Sequence, residues 1–247
     1  MERSAAWRLI LDPPSPPAWN MALDEALLET WRPGDPPILR LYGWQPAALS
    51  LGRFQSAREL ACPPGALLVR RISGGAAIHH RQDEVTYALV APYALFEGGR
   101  PRAAYHAVHS VIARALQALG VPAPDGPGAR APRTPPRGRC FSSSTGEDLL
   151  VGGRKLVGSA QRRLGQAFLQ HGSIPLSPDP LATGATALAD LLDPVPSRAS
   201  VVHAICDAMR HTLAPTLLPS EPTEPEAARA RTLVEARYGD TTWTLQR

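Results

Sequence analysis

The stretch Cys140–Ile174 reads CFSSSTGEDLLVGGRKLVGSAQRRLGQAFLQHGSI. It contains Lys155, the one lysine in a chain with 26 lysines and arginines together. Arginine stands wherever either cation would serve, so the surviving lysine marks a place where arginine fails. Arginine stays charged and carries a broad planar fork, whereas lysine is a compact charge whose pKa moves on burial. Lys155 is therefore a candidate for chemistry, against the plainer reading of chance survival on a surface. Cys140 lies fifteen positions upstream. Glu147–Val151 reads as a short strand and Gly152-Gly153 as a two-residue turn needing positive φ at both positions; Arg154–Gln161 is then the returning strand. The loop bearing Cys140 can fold over Lys155. A cysteine beside a cation has a lowered pKa and becomes a nucleophile near neutral pH.

The rest of the chain is that of a globular protein. Of its 247 residues, 44% are apolar and 19% charged, which excludes a disordered polypeptide. The net charge of +4 is spread over scattered arginines, which does not suit a nucleic-acid stripe. The one dense basic cluster, Arg130, Arg133, Arg137 and Arg139, fits either an acidic protein partner or a solvated loop. The three cysteines, Cys62, Cys140 and Cys206, are widely spaced and odd in number, which fits a reducing cytoplasm better than disulfides or structural zinc. Neither a signal peptide nor an apolar run of about 20 residues is visible. The expectation is a cytoplasmic chain with no membrane or nucleic-acid partner.

Trp7–Leu11 reads as a strand, ended by the proline pairs 13–14 and 16–17. Asn20, the one asparagine, reads as the N-cap of a helix over Met21–Trp31, with Asp24 and Glu25 near its positive end. Pro37–Tyr42 and Pro46–Leu51 read as paired strands. Leu67–Ile72 is a strand, Ser73-Gly74-Gly75 a sharp turn, and Ala76–His80 the strand running back. Adjacent glycines let a backbone approach a ligand closely. His79 is equally open to a structural and an acid–base role. Glu84–Ala91 is a buried strand and Arg102–Leu119 an amphipathic helix. His106 and His109 share that helix without a third ligand, so no metal site is expected. Val121–Arg139 holds six prolines and three glycines and reads as a mobile flap that delivers Cys140. Helices are expected at Leu188–Leu192, Ser200–Leu213 and Glu224–Tyr238, with a short end segment at Thr241–Thr244. The organisation expected is one domain over 1–247, with the flap at 121–139 and a helical C-terminal segment at 181–247.

Several of these motifs together resemble the lipoate–protein ligase and octanoyltransferase family of the biotin–lipoate ligase superfamily. They are KLVGSA at Lys155–Ala160, HGS at His171–Ser173, and RR-x-SGG at Arg70–Gly75 followed by His79. Asn20-Met21 before Asp24-Glu25, LRLYGW at Leu39–Trp44, LSLG-x-FQ at Leu49–Gln55 and the ending Tyr238…Trp243 fit the same pattern. Cys140 ahead of the hairpin, with Gln161 and LQHG at Leu169–Gly172, is most similar to the bacterial cysteine-dependent octanoyltransferases. Family ligases usually carry a third glycine where Ala76 stands, and Glu84-x-Thr86-Tyr87 is transferase-like.

The resemblance implies a mixed α/β fold of mostly antiparallel sheets flanked by helices. It implies an acyltransferase in which Cys140 and Lys155 are catalytic. Arg71, Ser73, Gly74, Gly75, Ala76, His79, Gly158, Ser159, Ala160, His171 and Gly172 would line the substrate, with the acyl pocket along the strands from Leu68 to Ile78. The donor implied is octanoyl-acyl carrier protein, and the acceptor a lysine of a lipoyl domain or glycine-cleavage H protein. The chain would act as a monomer without a cofactor or metal. ATP and magnesium would enter only for the alternative, an ATP-dependent lipoate–protein ligase. A second alternative is an octanoyl amidotransferase between lipoyl-carrying proteins, and a non-enzymatic one a carrier-binding module. Lys155→Arg is expected to leave the fold intact and to abolish acyl transfer, read by circular dichroism and by acyl loading of an acceptor domain; full activity would remove the argument from composition.

Overall fold

A computed structural model of the chain describes residues 6–59, 62–125, 148–182 and 184–246. Strand β1 (Trp7–Ser15) runs parallel to β2 (Ile38–Trp44), with a register shift between Leu11 and Pro14. The strand thus continues through the prolines expected to end it. Its other neighbour, β10 (Leu217–Pro219), covers only Trp7–Leu9, so the later residues lie on an edge where a missing N–H breaks no ladder bond.

Helix α1 (Pro17–Thr30) starts earlier than expected. Pro17 occupies its first turn, where proline's fixed φ suits a helix and its absent N–H would be unpaired anyway. Asn20 is therefore inside the helix and not its cap. Its amide donates to the carbonyls of Ser15, at 3.2 Å, and Gly43, at 2.9 Å, stitching α1 to the ends of β1 and β2. Asp24 and Glu25 lie beyond the first turn. They do not serve the helix start but reach other elements, Glu25 accepting from the Tyr238 hydroxyl at 2.6 Å.

Strand β3 (Ala48–Leu51) does not pair with β2 as expected, because β2 is already occupied by β1 on one side and by β6 (Glu84–Pro92) on the other. β3 instead forms the middle of a second sheet, parallel to β4 (Leu67–Arg70) and antiparallel to β5 (Ile78–His80). The expected β4–β5 hairpin is therefore a crossover, with Ser73-Gly74-Gly75 passing the end of β3. Gly75 needs its φ of +93°, and a Cβ on Gly52 would lie 1.8 Å from the Gly75 carbonyl oxygen. Helix α2 (Pro101–Ala118) follows β6.

The β7 (Leu149–Val151) and β8 (Arg154–Leu164) hairpin has the expected turn, with φ of 57° at Gly152 and 75° at Gly153. Strand β9 (Ala167–Pro175) lies between β6 and β8, completing a seven-stranded sheet ordered β10-β1-β2-β6-β9-β8-β7. The start of the expected flap is fastened to this hairpin: Asp125 donates its N–H to Leu150 at 2.8 Å and accepts from the Gly153 N–H at 2.7 Å. The flap from residue 126, its arginine cluster and Cys140 lie outside the described residues.

The chain ends in α3 (Arg198–Arg210), α4 (Glu224–Leu233), which runs on as a wider turn to Tyr238, and α5 (Thr241–Leu245). Leu188–Asp190 forms only a 3-10 turn. Helices α2 and α3 cover one sheet face, where Val108, Ile112 and Ile205 pack with Leu39, Leu89 and Phe168. Helices α1 and α4 cover the other, where Leu23, Leu27 and Leu233 pack with Ile10, Tyr42 and Leu169. The fold is thus mixed α/β with a mostly antiparallel main sheet between helices. Among the described residues no helix is long and apolar enough to cross a membrane. Gly52→Ala must displace backbone at the glycine loop and is expected to cost about 1–3 kcal/mol, read from chemical denaturation midpoints.

Candidate active site

Three residues face one another across the middle of the main sheet. Gly172 on β9 is in register with Tyr87 on β6 and Ser159 on β8. A Cβ on Gly172 would lie 2.4 Å from the Ser159 Oγ and 2.7 Å from the Tyr87 ring, so only glycine leaves room here. The Tyr87 side chain reaches across β9, and its hydroxyl meets the Ser159 Oγ at 2.5 Å. His109 of α2 approaches the same oxygen through Nε2 at 2.7 Å. Burial pushes the Tyr87 phenol up to about 12 despite its bonds to Ser159 and Gln170, so it remains protonated at neutral pH.

The neighbouring residue, His171, takes part in a second buried cluster. Its Nδ1 lies 3.0 Å from the Asp24 Oδ2 and its Nε2 2.6 Å from the Ser73 Oγ. Asp24 also accepts from Arg40, at 2.6 Å, and from the Tyr42 hydroxyl, at 2.9 Å. Burial alone would raise the Asp24 carboxyl, but His171 and Arg40 outweigh it and hold the group below its usual range. Burial, followed by the Asp24 charge, pushes Tyr42 well up and keeps it a donor. Ser73, His171 and Asp24 have the order of a hydrolytic triad. Ser73, however, is not on the wall of the adjoining cavity, whereas His171 is. The serine therefore orients the imidazole.

The cavity is walled by Met21, Tyr42, Trp44, Ser50, Arg71, Gly75, Ile78, His80, Thr86, Ser159, Ala160, His171, Gly172 and Ser173. It encloses about 30 Å³, about the space of one water molecule. Only Arg71, Gly75 and Ile78 come from the stretch expected to form the acyl pocket; α1, β2, β3, β5, β6, β8 and β9 supply the rest. Arg71 holds the glycine loop in shape, donating to the carbonyls of Gly74 and Ala76, each at 2.8 Å, and of Ser50 at 2.9 Å. Gly158 lies beside the cavity, in register with Ser173.

His79 lies elsewhere. Its Nδ1 is 3.2 Å from the Asp179 Oδ2, in an adjoining polar pocket that shares Ser173 with the first. Of this adjacent pair, His80 is the one on the cavity wall. It stacks on Trp44 with ring centres 3.9 Å apart, and its ring nitrogens lie 2.8 Å from Glu84 and from Ser50. Burial pulls the His80 pKa down, which Glu84 only partly offsets.

Lys155 is buried, and its Nζ lies 3.0 Å from the Asp148 Oδ1. Sequence reading passed over Asp148. The signal was the hairpin itself, since the residue before β7 returns beside the start of β8. The β7–β8 register shifts between Leu149 and Leu150, opposite Lys155–Val157, so the alternation of β8 is interrupted there and Lys155 and Ser159 need not share a face. The described residues contain no group of three metal-ligating side chains.

A family model, the lipoyl protein ligase A/B catalytic domain, matches residues 16–214. The chain belongs to this family. An octanoyltransferase, LipM, of Symbiobacterium thermophilum is 36% identical over 98% of each chain. LipM of Kyrpidia tusciae is 34% identical over 98% of this chain and 99% of its own. In three dimensions, a lipoate-protein ligase A bound with ATP aligns with a TM-score of 0.83 at 23% identity, over 97% of this chain and 98% of that one. A bipartite lipoate protein ligase from Thermoplasma acidophilum aligns with a TM-score of 0.77 at 23% identity, covering 98% and 96%. These likenesses give the chain the fold of the lipoate–protein ligases. The KLVGSA, HGS and SGG motifs of this family member thus converge on the cavity, its neighbouring strands and the Lys155–Asp148 pair.

Because the folded pKa of His80 is depressed, the unfolded chain binds more protons below the ordinary histidine value of about 6.5. Stability is therefore expected to be fully present above that pH and to fall as pH drops below it. His80→Gln is expected to flatten this slope, as measured by urea unfolding between pH 7 and 5.

Proposed function

We propose that this chain transfers an octanoyl group from acyl carrier protein to the acceptor lysine of a lipoyl domain or glycine-cleavage H protein, through a thioester on Cys140. The observation that carries the reading is its likeness, along nearly the whole chain, to octanoyltransferases. The cavity beside β8 is walled in part by Met21, Trp44, Ile78 and Ala160, side chains that suit the methylenes of an acyl group that widens it.

The Cys140 thiolate attacks the carrier thioester carbonyl. The carrier's thiolate leaves, and the acyl group becomes a thioester of Cys140. The acceptor lysine, as free amine, then attacks this thioester and releases the cysteine. Two easier steps replace one harder one, which is the usual gain of covalent catalysis. Lys155 is the cation that favours the thiolate, with Asp148 holding the ammonium in place. Asp148 lies eight positions after Cys140, so the extended reach is at most about 30 Å and the cysteine can approach the pair. Backbone N–H groups of the Gly74-Gly75 or Gly158-Ser159 segments are candidates to stabilise the oxyanion, each contributing about 3 kcal/mol. The arginines ahead of Cys140 suit acidic carrier proteins. In this reading the substrate arrives activated, so neither ATP nor a metal is required.

Cys140→Ser is expected to reduce octanoyl transfer from the carrier thioester by at least about a thousandfold, as befits loss of a nucleophile. The assay is acylation of a lipoyl domain followed by mass. A variant that still attaches free lipoate when given ATP would establish the ligase alternative.

A further inference from the structure

The polar pocket that holds the His79–Asp179 pair continues the acyl cavity along the same face of the main sheet. Thr86 of β6 and Ser173 of β9 lie opposite one another and both wall the cavity. The next rung facing the same way, Glu84 opposite Pro175, walls the pocket. Ser173 belongs to both, and Gly158 of β8, opposite it, adds no side chain at the junction. Ile78 of the cavity packs against Ala182 of the pocket. Another part of the pocket wall lies beside the lone lysine: the Thr186 N–H donates to the Lys155 carbonyl at 2.9 Å, and Ala185 forms a β-bridge with Lys155. The pocket encloses about 160 Å³, against about 30 Å³ for the acyl cavity.

The charged side chains of the wall are matched within the fold. Arg81 lies 3.2 Å from Asp83, the Glu84 carboxylate 2.8 Å from the His80 ring, and His79 3.2 Å from Asp179. The other Asp179 oxygen accepts from the Leu181 N–H at 2.9 Å. Three carboxylates on one wall repel a polyphosphate. Pro175, Pro178 and Ala185 supply apolar surface between the polar groups. Such a wall suits a neutral chain in which short apolar stretches alternate with hydrogen-bonding groups. An acyl carrier protein holds its acyl group on a chain of this kind, pantetheine, which has two secondary amides and a hydroxyl in series and ends in the thiol that bears the thioester. Resting on the carrier-thioester reading above, we infer that this pocket receives the pantetheine arm of the acyl donor. The acyl chain lies in the cavity, the thioester crosses the Ser173–Gly158 rung, and the arm runs outward past His79 and Asp179. Its phosphodiester end reaches the mouth, where the wall residue Arg154 is half exposed. The donor is thus recognised through its arm as well as through the folded surface of the carrier.

Two thioesters that lack a carrier protein test this. One is octanoyl-pantetheine; the other is octanoyl-N-acetylcysteamine, which keeps the amide nearest the sulfur and lacks the rest of the arm. Octanoyl transfer to a lipoyl domain is followed by mass, without ATP. Binding energy from a part of the substrate remote from the reacting carbonyl raises kcat/KM. Octanoyl-pantetheine is therefore expected to be used at least about tenfold more efficiently, the worth of one or two hydrogen bonds. Ser177 is on the pocket wall in the loop after β9, and a tryptophan there fills the pocket. Ser177→Trp is expected to bring octanoyl-pantetheine down to the level of the N-acetylcysteamine thioester and to leave the latter unchanged. Pro178→Trp, from an exposed position on the same wall, repeats the test independently of how Ser177→Trp folds. Equal use of the two thioesters by the unchanged protein would overturn the inference, as would transfer from octanoyl-acyl carrier protein alone, or tryptophan variants that keep the preference. Transfer from none of the three donors would instead remove the carrier-thioester reading, and this inference with it.

Discussion

Asp24 is the point at which helix α1 is tied to the main sheet. Its carboxylate, on α1, accepts from Arg40 and Tyr42 of β2 and lies against His171 of β9. Arg40 is itself fully buried and also bonds Asp12 at 2.6 Å and the Asn20 side chain at 2.9 Å. A buried charge is tolerable only when paired and hydrogen-bonded, and removing one partner of such a pair costs about 3–5 kcal/mol. The same carboxylate that joins helix to sheet therefore orients the imidazole at the cavity wall. Fold and site are not separable here: the strands that bury Asp24 are the strands that shape the pocket.

On the opposite face the organising constraint is a missing side chain. Gly172 lets a tyrosine two strands away reach Ser159, and α2 supplies His109 to the same oxygen. β9 therefore presents His171 toward α1 and, one residue later, a gap toward α2. Two polar clusters with different partners thus lie on the two sides of one strand.

Much of this was legible in the chain. The Gly152-Gly153 hairpin, the 101–118 helix and the 84–92 strand follow from local pattern, because turn chemistry and apolar periodicity are local signals. The arginine bias singled out the lone lysine, and the fold buries it beside Asp148. What local pattern could not supply was pairing between distant elements. Asn20 has the chemistry of a cap, yet Pro17 began the helix earlier and left the asparagine to bond Gly43 from another strand. β3 was read as the partner of β2 because they are neighbours in sequence, whereas β6 had already taken that edge. His79 and His80 are adjacent, and only the fold decides which one lines the cavity. Asp148 and His109 acquire meaning only once β7, β8 and α2 are placed.

The central claim is that the acyl group passes through Cys140, and intact-protein mass spectrometry tests it most directly. The protein is mixed with octanoyl-acyl carrier protein in the absence of ATP and acceptor. The account predicts a hydroxylamine-labile octanoyl adduct that maps to Cys140. No adduct under these conditions, with acylation of a lipoyl domain appearing only when free lipoate and ATP are added, would contradict it.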